Sequence, residues 1–265
     1  MKNRLVLASH KGGVGKTTIS LNLAIALATK GIKTALVELD PQGGIIFLMA
    51  GGNFEFPGIT QVLDNKKTLS QALIKSKIPN LSILSKGILH VENIPKFENI
   101  IYKYEYKLSN LLTLLEKDHD YIIIDTPTGL GKITRIALRL SNHILIPIKP
   151  DITILRSMCQ ILRLIDYVQK QENSELKILG MLLNKVHEAE KNDYQIIGEL
   201  RSHFPFVLNA YIPYSNLLEK ASVKGLPISC LIKSSSTNAL SFAPLANEII
   251  ALINKDVTHL SPKFV

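Results

Sequence analysis

The sequence has few cysteines and no long apolar run, and each shortage excludes a class of protein. Only 2 of its 265 residues are cysteines, Cys159 and Cys230, so one chain can form neither a disulfide framework nor a four-cysteine zinc site. The longest apolar candidate, Ile45–Ala50, falls far short of the roughly 18–20 residues that a membrane-spanning helix needs. The apolar segment Leu5–Ala8 is too brief for the core of a signal peptide. The expected location is therefore the cytoplasm.

The composition is typical of a folded protein with an excess of basic residues. Hydrophobic residues make up 46% of the chain and charged residues 20%, a balance that excludes wholesale disorder. The formal net charge is +9, of which +5 lies in residues 1–132 and +4 in the remainder. Because this excess is spread through the chain, it indicates a diffuse positive field that favours polyanions, or simply a soluble basic protein.

Short apolar runs alternate with segments of helical period along most of the chain. The runs predicted as strands are Leu5–Ala8, Thr34–Leu39, Leu81–Leu84, Tyr121–Ile124, His143–Ile148, Ile178–Leu183 and Val207–Ile212. The segments predicted as helices are Thr17–Lys30, Lys107–Lys117, Ile152–Gln171, Asp193–His203 and Leu240–Ile253. This alternation predicts an α/β fold with a doubly wound, predominantly parallel sheet flanked by helices, in a single domain over residues 1–265. Residues 43–106 are the least informative region, and their glycines suggest a loop.

A glycine-rich segment between the first predicted strand and the first predicted helix has the pattern of a phosphate-binding loop. It reads Lys11-Gly12-Gly13-Val14-Gly15-Lys16-Thr17-Thr18. Glycines let backbone N–H groups point at phosphate oxygens, and the start of the following helix adds the positive end of its dipole. Lys16 would neutralise the β- and γ-phosphates, and the Thr17 hydroxyl would ligate Mg²⁺. The alternative is a strand-to-helix turn without a ligand.

The loop departs from the general Walker A pattern at its first position. The pattern G-x-x-x-x-G-K-[ST] requires glycine where this sequence has His10, and an additional lysine, Lys11, precedes the glycines. In this form the segment resembles the deviant Walker A motif of the ParA/MinD family of ATPases, K-G-G-x-G-K-T-T. The resemblance implies that Lys11 reaches the phosphates of ATP bound to the partner in a nucleotide-sandwich homodimer.

Further segments carry the same resemblance from residue 4 to about residue 250. Leu39-Asp40-Pro41-Gln42-Gly43 is similar to the D-P-Q-G segment of the ParA branch, and residues 120–127 are similar to its Walker B strand. Weaker landmarks lie at residues 180–186, 225–228 and 245–249. The resemblance implies slow ATP hydrolysis that a ParB-like or other partner protein stimulates.

Two aspartates end predicted strands at the edge where an open α/β sheet places its ligand. Asp125 could hold Mg²⁺ through a water molecule, although a turn aspartate before Pro127 is the alternative. For Asp40, the resemblance implies that it positions the attacking water, since phosphoryl transfer depends mostly on positioning and charge neutralisation. The family often carries an aspartate two positions earlier, where this sequence has Glu38.

Two later residues are candidates for the base pocket. Asn184 ends a predicted strand, and the resemblance suggests that its amide pairs with the adenine edge. Pro213 follows the last predicted strand and could form a wall of the same pocket, but either residue could instead be loop structure. The N-K-x-D box of GTPases is not formed, because Asn184-Lys185-Val186 is followed by His187. ATP is therefore favoured over GTP.

One helix offers a surface for nucleic acid. Within Ile152–Gln171, polar side chains recur at spacings of three and four and form one stripe: Arg156, Gln160, Arg163, Tyr167 and Lys170. The other face carries Met158, Leu162 and Ile165, which suit packing against the sheet. Such a stripe could follow a DNA backbone through phosphate contacts of Arg156, Arg163 and Lys170, or it is a solvated helix face.

Three functions are consistent with these residues. The first, which we predict, is a partition ATPase that binds nonspecific DNA as an ATP dimer, associates with the nucleoid and positions a plasmid, a chromosome region or a protein assembly. The second is a MinD-like membrane-cycling ATPase, but Lys255–Val265 contains Pro262 and little helical apolar period, so no stable membrane anchor is expected. The third is a metabolic enzyme of the same fold. Cys159 and Cys230 are expected to be buried, inert thiols rather than iron–sulfur ligands.

Overall fold

The computed structural model of the chain describes residues 3–45, 56–88, 94–151, 154–218, 220 and 242–255. The strands in these residues are β1 (Arg4–Leu7), β2 (Thr34–Glu38), β3 (Ile74–Lys75), β4 (Leu81–Leu84), β5 (Tyr121–Asp125), β6 (His143–Ile148), β7 (Lys177–Val186) and β8 (Val207–Pro213). The helices are α1 (Lys16–Thr29), α2 (Ile59–Leu63), α3 (Leu69–Ala72), α4 (Ile94–Lys103), α5 (Glu105–Leu115), α6 (Lys132–Arg139), α7 (Ile154–Gln171), α8 (Lys191–His203) and α9 (Ala243–Asn254).

Within the described part of the chain, the strands form one eight-stranded sheet in the order β3-β4-β2-β5-β1-β6-β7-β8. Neighbouring strands are parallel except β3 and β4, which are antiparallel. This arrangement confirms the predicted doubly wound, predominantly parallel sheet. The chain leaves β1 toward β2 on one side and leaves β6 toward β7 on the other. The switch point that open α/β sheets use for ligands therefore lies at the carboxyl ends of β1 and β6.

The two faces of the sheet carry separate apolar cores, because successive side chains of a strand point to opposite faces. On β1, Leu5 and Leu7 pack with residues of α1 and α9, whereas Val6 packs with residues of α4 to α7. The central strands are thus buried on both faces. This double burial explains why their sequences are nearly continuous in Val, Ile and Leu.

Outside the region 43–106, each predicted element agrees with an observed one within a few residues, but helix α6 (Lys132–Arg139) is not among the predicted helices. The region 43–106 contains α2, α3, β3, β4, all of α4 and the first two residues of α5, so the expected loop is only part of it. Its short elements are stabilised by local hydrogen bonds, and their sequences do not show a long apolar period. At α3, for example, the Thr68 hydroxyl accepts the N–H of Gln71 at 3.4 Å and so caps the helix.

Helix α7 shows both a confirmed prediction and a wrong one. Met158, Leu162 and Ile165 are buried, as the helical period predicts. Cys159 is exposed, so it is not the buried thiol that the sequence suggested; it follows Met158 by one residue, and one step along a helix turns a side chain by about 100° off the apolar face. Cys230 and the landmark at residues 225–228 lie outside the described residues, as does the segment 256–265.

None of the helices in the described ranges is both long enough and apolar enough to cross a membrane.

A buried ion pair ties β1 to two helices on one face of the sheet. The Arg4 guanidinium donates to the Glu116 carboxylate at 2.7 and 2.9 Å, to the Thr113 hydroxyl at 3.0 Å and to the Leu140 carbonyl at 3.2 Å. Glu116 directly follows α5 and Leu140 directly follows α6. The two charged side chains are only 10% and 9% exposed, so each charge depends on the other for stabilisation.

We expect Arg4→Met to lower the free energy of unfolding by about 3 kcal/mol, because it leaves Glu116 as a buried, uncompensated charge. Urea unfolding followed by circular dichroism measures the change, and Lys117→Met, at an exposed position next to Glu116, is the matched control. The double variant Arg4→Met/Glu116→Met should recover part of the loss. A loss below about 1 kcal/mol in the single variant would show that the pair is screened like a surface pair.

Candidate functional site

The loop between β1 and α1 needs glycine for its backbone conformation. Gly15 has a φ of +89°, a left-handed conformation, and a Cβ atom there would lie 2.4 Å from Nδ2 of Asn184. Gly15 is also the N-cap of α1 and has no side chain that could pair with the first N–H groups of the helix. No acidic residue lies in the first turn, which begins Lys16-Thr17-Thr18. The helix end is therefore available to an anion.

Lys16 is a buried cation at this helix end. Its Nζ donates to the Ser9 hydroxyl at 3.2 Å and to the Thr128 hydroxyl at 3.3 Å. Burial lowers the pKa of Lys16, whereas the negative charges of Asp125 and Asp40 act to raise it. Because its hydrogen-bond partners Ser9 and Thr128 are neutral hydroxyls, the ammonium charge is not neutralised by them and suits a phosphate bound at the loop.

Asp125, the last residue of β5, is fully buried and collects hydroxyl groups from α1. Its Oδ2 accepts a hydrogen bond from the Thr17 hydroxyl at 2.8 Å, and its Oδ1 accepts one from the Ser20 hydroxyl at 2.9 Å. Burial raises the pKa of Asp125 to about 7, and the nearby charges of Glu38 and Asp40 also raise it, while the two hydroxyl groups act to lower it. Oxygen donors beside crowded carboxylates form the kind of site that Mg²⁺ prefers, so Thr17 and Asp125 fit this cation.

Asp40 lies at the same end of the sheet, two residues after β2. Its Oδ1 accepts the N–H of Gln42 at 2.9 Å, and its carbonyl accepts the N–H of Gly43 at 3.1 Å. These bonds shape a tight turn that leaves the Asp40 carboxylate half-buried and close enough to Lys16 and Asp125 to affect both pKa values. The structure thus brings Lys16, Thr17, Asp40 and Asp125 together.

Glu38 supports this turn from within the sheet. The side chain is 1% exposed, and its carboxylate accepts the N–H groups of Gly44 at 2.7 Å, Ile45 at 2.8 Å and Lys86 at 3.2 Å. Burial raises the pKa of Glu38, while these backbone hydrogen bonds act to lower it. Glu38 therefore holds the backbone of the segment that follows Asp40.

Lys11 contacts a different group from Lys16. Its Nζ lies 2.8 and 2.9 Å from the two carboxylate oxygens of Asp151, which follows β6. The two side chains are 32% and 35% exposed, so solvent reaches this ion pair. The two lysines of one loop thus have separate surroundings, one buried in the site and one at its surface.

The candidate base residues line a cavity of about 460 Å³ beside the loop. Asn184 and Pro213 contribute to its wall together with Gly13, Thr18, Ile212 and Tyr214. Asn184 has a second role that the sequence did not reveal, because its Nδ2 donates to the Val14 carbonyl at 2.7 Å and braces the loop. Tyr214 stacks on His187 with ring centroids 4.4 Å apart, which gives the cavity an aromatic side.

The stripe on α7 is only partly available for phosphate contacts. Arg163 is exposed, and no acidic side chain in the described residues pairs with it. Lys170 pairs with Asp166 at 2.8 Å, and Tyr167 lies beneath the guanidinium of Arg135 at 4.7 Å. The side chain of Arg156 lies outside the described residues, as do those of residues 152 and 153.

Several residues of the site were missed by sequence reasoning. Ser20 had a usable signal, since it follows Thr17 by three positions in a predicted helix and so lies on the same face. Thr128 and Asp151 gave no such signal. Asp151 lies 140 positions from Lys11, and only the packing of β6 against β1 brings the two residues together.

The chain is similar to known proteins both in sequence and in structure. Residues 2–178 match the family described as AAA domain. The chain is 31% identical over 258 residues to the chromosome-partitioning ATPase Soj of Treponema pallidum, covering 95% of this chain and 98% of that protein. It is 30% identical over 256 residues to the sporulation initiation inhibitor protein Soj of Bacillus subtilis, covering 93% and 98%. A solved structure of cobyrinic acid a,c-diamide synthase from Mycobacterium smegmatis, with bound ATP analog and magnesium, has a TM-score of 0.78, 25% identity and 100% coverage of both chains.

We expect Ser20→Ala to lower the free energy of unfolding by about 2 kcal/mol, because it removes one of two hydroxyl donors to a buried carboxylate. Urea unfolding without added nucleotide measures the effect. Ser202→Ala, at an exposed position of α8, is the matched control and should change the free energy by less than about 0.5 kcal/mol. Equal stability of the two variants would mean that Asp125 does not need the Ser20 hydroxyl.

Proposed function

The chain belongs to the ParA/MinD family of P-loop ATPases, on its ParA branch, and from this membership we propose that it is a partition-type ATPase. It binds ATP with Mg²⁺, forms a homodimer in that state, binds nonspecific DNA as the dimer and hydrolyses ATP slowly until a ParB-like or other partner protein stimulates it. The observation that carries this proposal is the division between two lysines of one loop. Lys16 is buried against Ser9 and Thr128, whereas Lys11 is one-third exposed beside Asp151.

Each residue of the site has a defined task in this proposal. Lys16 and the N–H groups at the start of α1 bind the phosphates, and Asn184 and Pro213 lie in the cavity that takes the adenine. Thr17 and Asp125 would hold Mg²⁺, which neutralises phosphate charge when bound. Asp40 orients the attacking water, a task that needs position more than basicity.

The Lys11–Asp151 pair is compatible with a role of Lys11 toward a second subunit. Ion pairs that solvent reaches contribute little to stability, typically about 0–1 kcal/mol, so opening this pair costs little. The phosphates of a partner's ATP offer Lys11 stronger, charge-assisted hydrogen bonds in return. ATP would thereby favour the dimer, and hydrolysis would favour the monomer.

The net charge of +9 and the basic stripe on α7 support the proposal that the dimer binds DNA. Contacts to phosphates carry no sequence information, which suits a protein that moves over a chromosome. Since hydrolysis at this kind of site depends on positioning, a partner protein that adjusts the position of Asp40 or Lys11 would accelerate it.

We expect Lys11→Ala to abolish the dimer formed with a nonhydrolysable ATP analogue, while the affinity for the analogue changes by less than about threefold, because Lys16 still binds the phosphates. Size-exclusion chromatography with light scattering, in ADP and then in the analogue, measures the dimer. Lys30→Ala, an exposed lysine after α1, is the matched control and should dimerise normally. A wild-type protein that stays monomeric and hydrolyses ATP at a rate unaffected by DNA would favour a metabolic enzyme of this fold instead.

We expect Arg163→Glu to weaken ATP-dependent retention on nonspecific DNA. The slope of log affinity against log salt concentration should become shallower by about the amount that one phosphate contact contributes. The effect of Lys170→Glu should be smaller, because Asp166 already offsets that charge. Arg156→Glu tests the remaining basic position, and Lys75→Glu on β3 is the control with the same change of net charge. DNA retention at several salt concentrations, with the ATP analogue bound, measures all four. Retention equal to wild type in every stripe variant would remove α7 from the proposed DNA surface.

A further inference from the structure

The turn that carries Asp40 is held by a residue outside every nucleotide-binding motif. Lys86, two residues after β4, donates from its Nζ to the Pro41 carbonyl at 2.8 Å. Its backbone N–H donates to Oε2 of Glu38 at 3.2 Å. One residue therefore binds both the end of β2 and the turn that follows it.

The side chain of Lys86 fits closely against the turn. Gly43 has a φ of +64°, and a Cβ atom at this position would lie 2.5 Å from Cε and 2.7 Å from Nζ of Lys86. Glycine at position 43 thus allows the lysine stem to cross the turn at contact distance. At the far end of the turn, Glu38 accepts the N–H groups of Gly44 and Ile45. The segment after Asp40 is held by Lys86 at Pro41 and by Glu38 at residues 44–45.

Lys86 is itself fixed by the start of α2. Its carbonyl accepts the N–H of Thr60 at 3.1 Å and the Thr60 hydroxyl at 2.7 Å. The neighbouring carbonyl, that of Ser85, accepts the N–H of Ile59 at 2.9 Å. The ammonium group of Lys86 therefore extends from an anchored backbone, so it can hold the Asp40 turn in one place rather than move with it.

We propose that Lys86 is a positioning residue for ATP hydrolysis, which sets the place of the Asp40 carboxylate by holding the Pro41 carbonyl. This inference rests on the proposed function, in which Asp40 orients the attacking water. Phosphate binding depends on Lys16 and the start of α1, whose contacts do not include the Pro41 carbonyl. Removal of the tether would therefore slow the chemical step and leave ATP affinity nearly unchanged, since small displacements of a positioning group lower rates steeply.

The test compares Lys86→Met, which keeps the stem and the backbone N–H but removes the ammonium group, with Lys86→Arg, which keeps a donor for the Pro41 carbonyl. Lys77→Met, at an exposed position after β3, is the matched control. Three quantities are measured for each variant: the Kd of a nonhydrolysable ATP analogue, the single-turnover rate of ATP hydrolysis, and hydrogen exchange of the backbone amides at residues 43–45.

We expect Lys86→Met to hydrolyse ATP about tenfold more slowly, with a Kd within about twofold of wild type and faster exchange confined to residues 43–45. Lys86→Arg should recover most of the rate, and Lys77→Met should match wild type in all three measurements.

Wild-type rate and wild-type exchange in Lys86→Met would overturn the inference. A rise in Kd as large as the fall in rate would also overturn it, because Lys86 would then contribute to nucleotide binding. Faster exchange throughout the chain would overturn it as well, because it would indicate general destabilisation. A wild-type chain that binds no ATP would defeat the proposed function instead, and the exchange at residues 43–45 would still decide whether Lys86 holds the turn.

Discussion

The carboxylate of Asp125 is the group on which the architecture of the site depends. It ends a fully buried strand, and it accepts hydrogen bonds from two hydroxyl groups of α1, those of Thr17 and Ser20. These bonds fix the start of α1 against the sheet and thereby fix the loop that precedes it. A buried carboxylate next to other acidic groups is costly unless donors and cations compensate it. The hydroxyl pair and Lys16 supply this compensation, and Mg²⁺ would add to it in the proposed function.

Around this centre, charge is distributed in layers with different solvent access. Lys16, at the start of α1, is buried against two neutral hydroxyl groups, which suits a contact with phosphate. Lys11 remains at the surface in a solvent-screened pair with Asp151, which suits a contact that forms and breaks. The Asp40 turn is half-buried and is held from β2 by Glu38 and from beyond β4 by Lys86. In the proposed function the protein alternates between two states and needs both rigid and exchangeable contacts, and the loop after β1 would provide one lysine for each.

Much of the fold was predictable, because the central strands are covered on both faces and this burial leaves continuous apolar runs in the sequence. The strands at residues 81–84 and 143–148 have the predicted bounds. The region 43–106 was harder to predict, since short elements such as α3 are stabilised by caps and local hydrogen bonds that produce little periodicity. Cys159 was also predicted wrongly, because the apolar character of cysteine does not by itself tell which side of α7 the residue occupies.

The sequence by itself determined the loop, since the residues from Lys11 to Thr18 are contiguous and their glycines and lysine have a local physical meaning. It also determined the strand ends at which Asp40 and Asp125 lie. Only the tertiary structure decided which distant groups meet them: Asp151 at Lys11, Thr128 at Lys16, and Lys86 at Pro41. In each of these contacts the two residues are separated by between 45 and 140 positions in the sequence. Such pairs leave no periodic pattern in the sequence, because they depend on the strand order in the sheet and on the direction of each side chain.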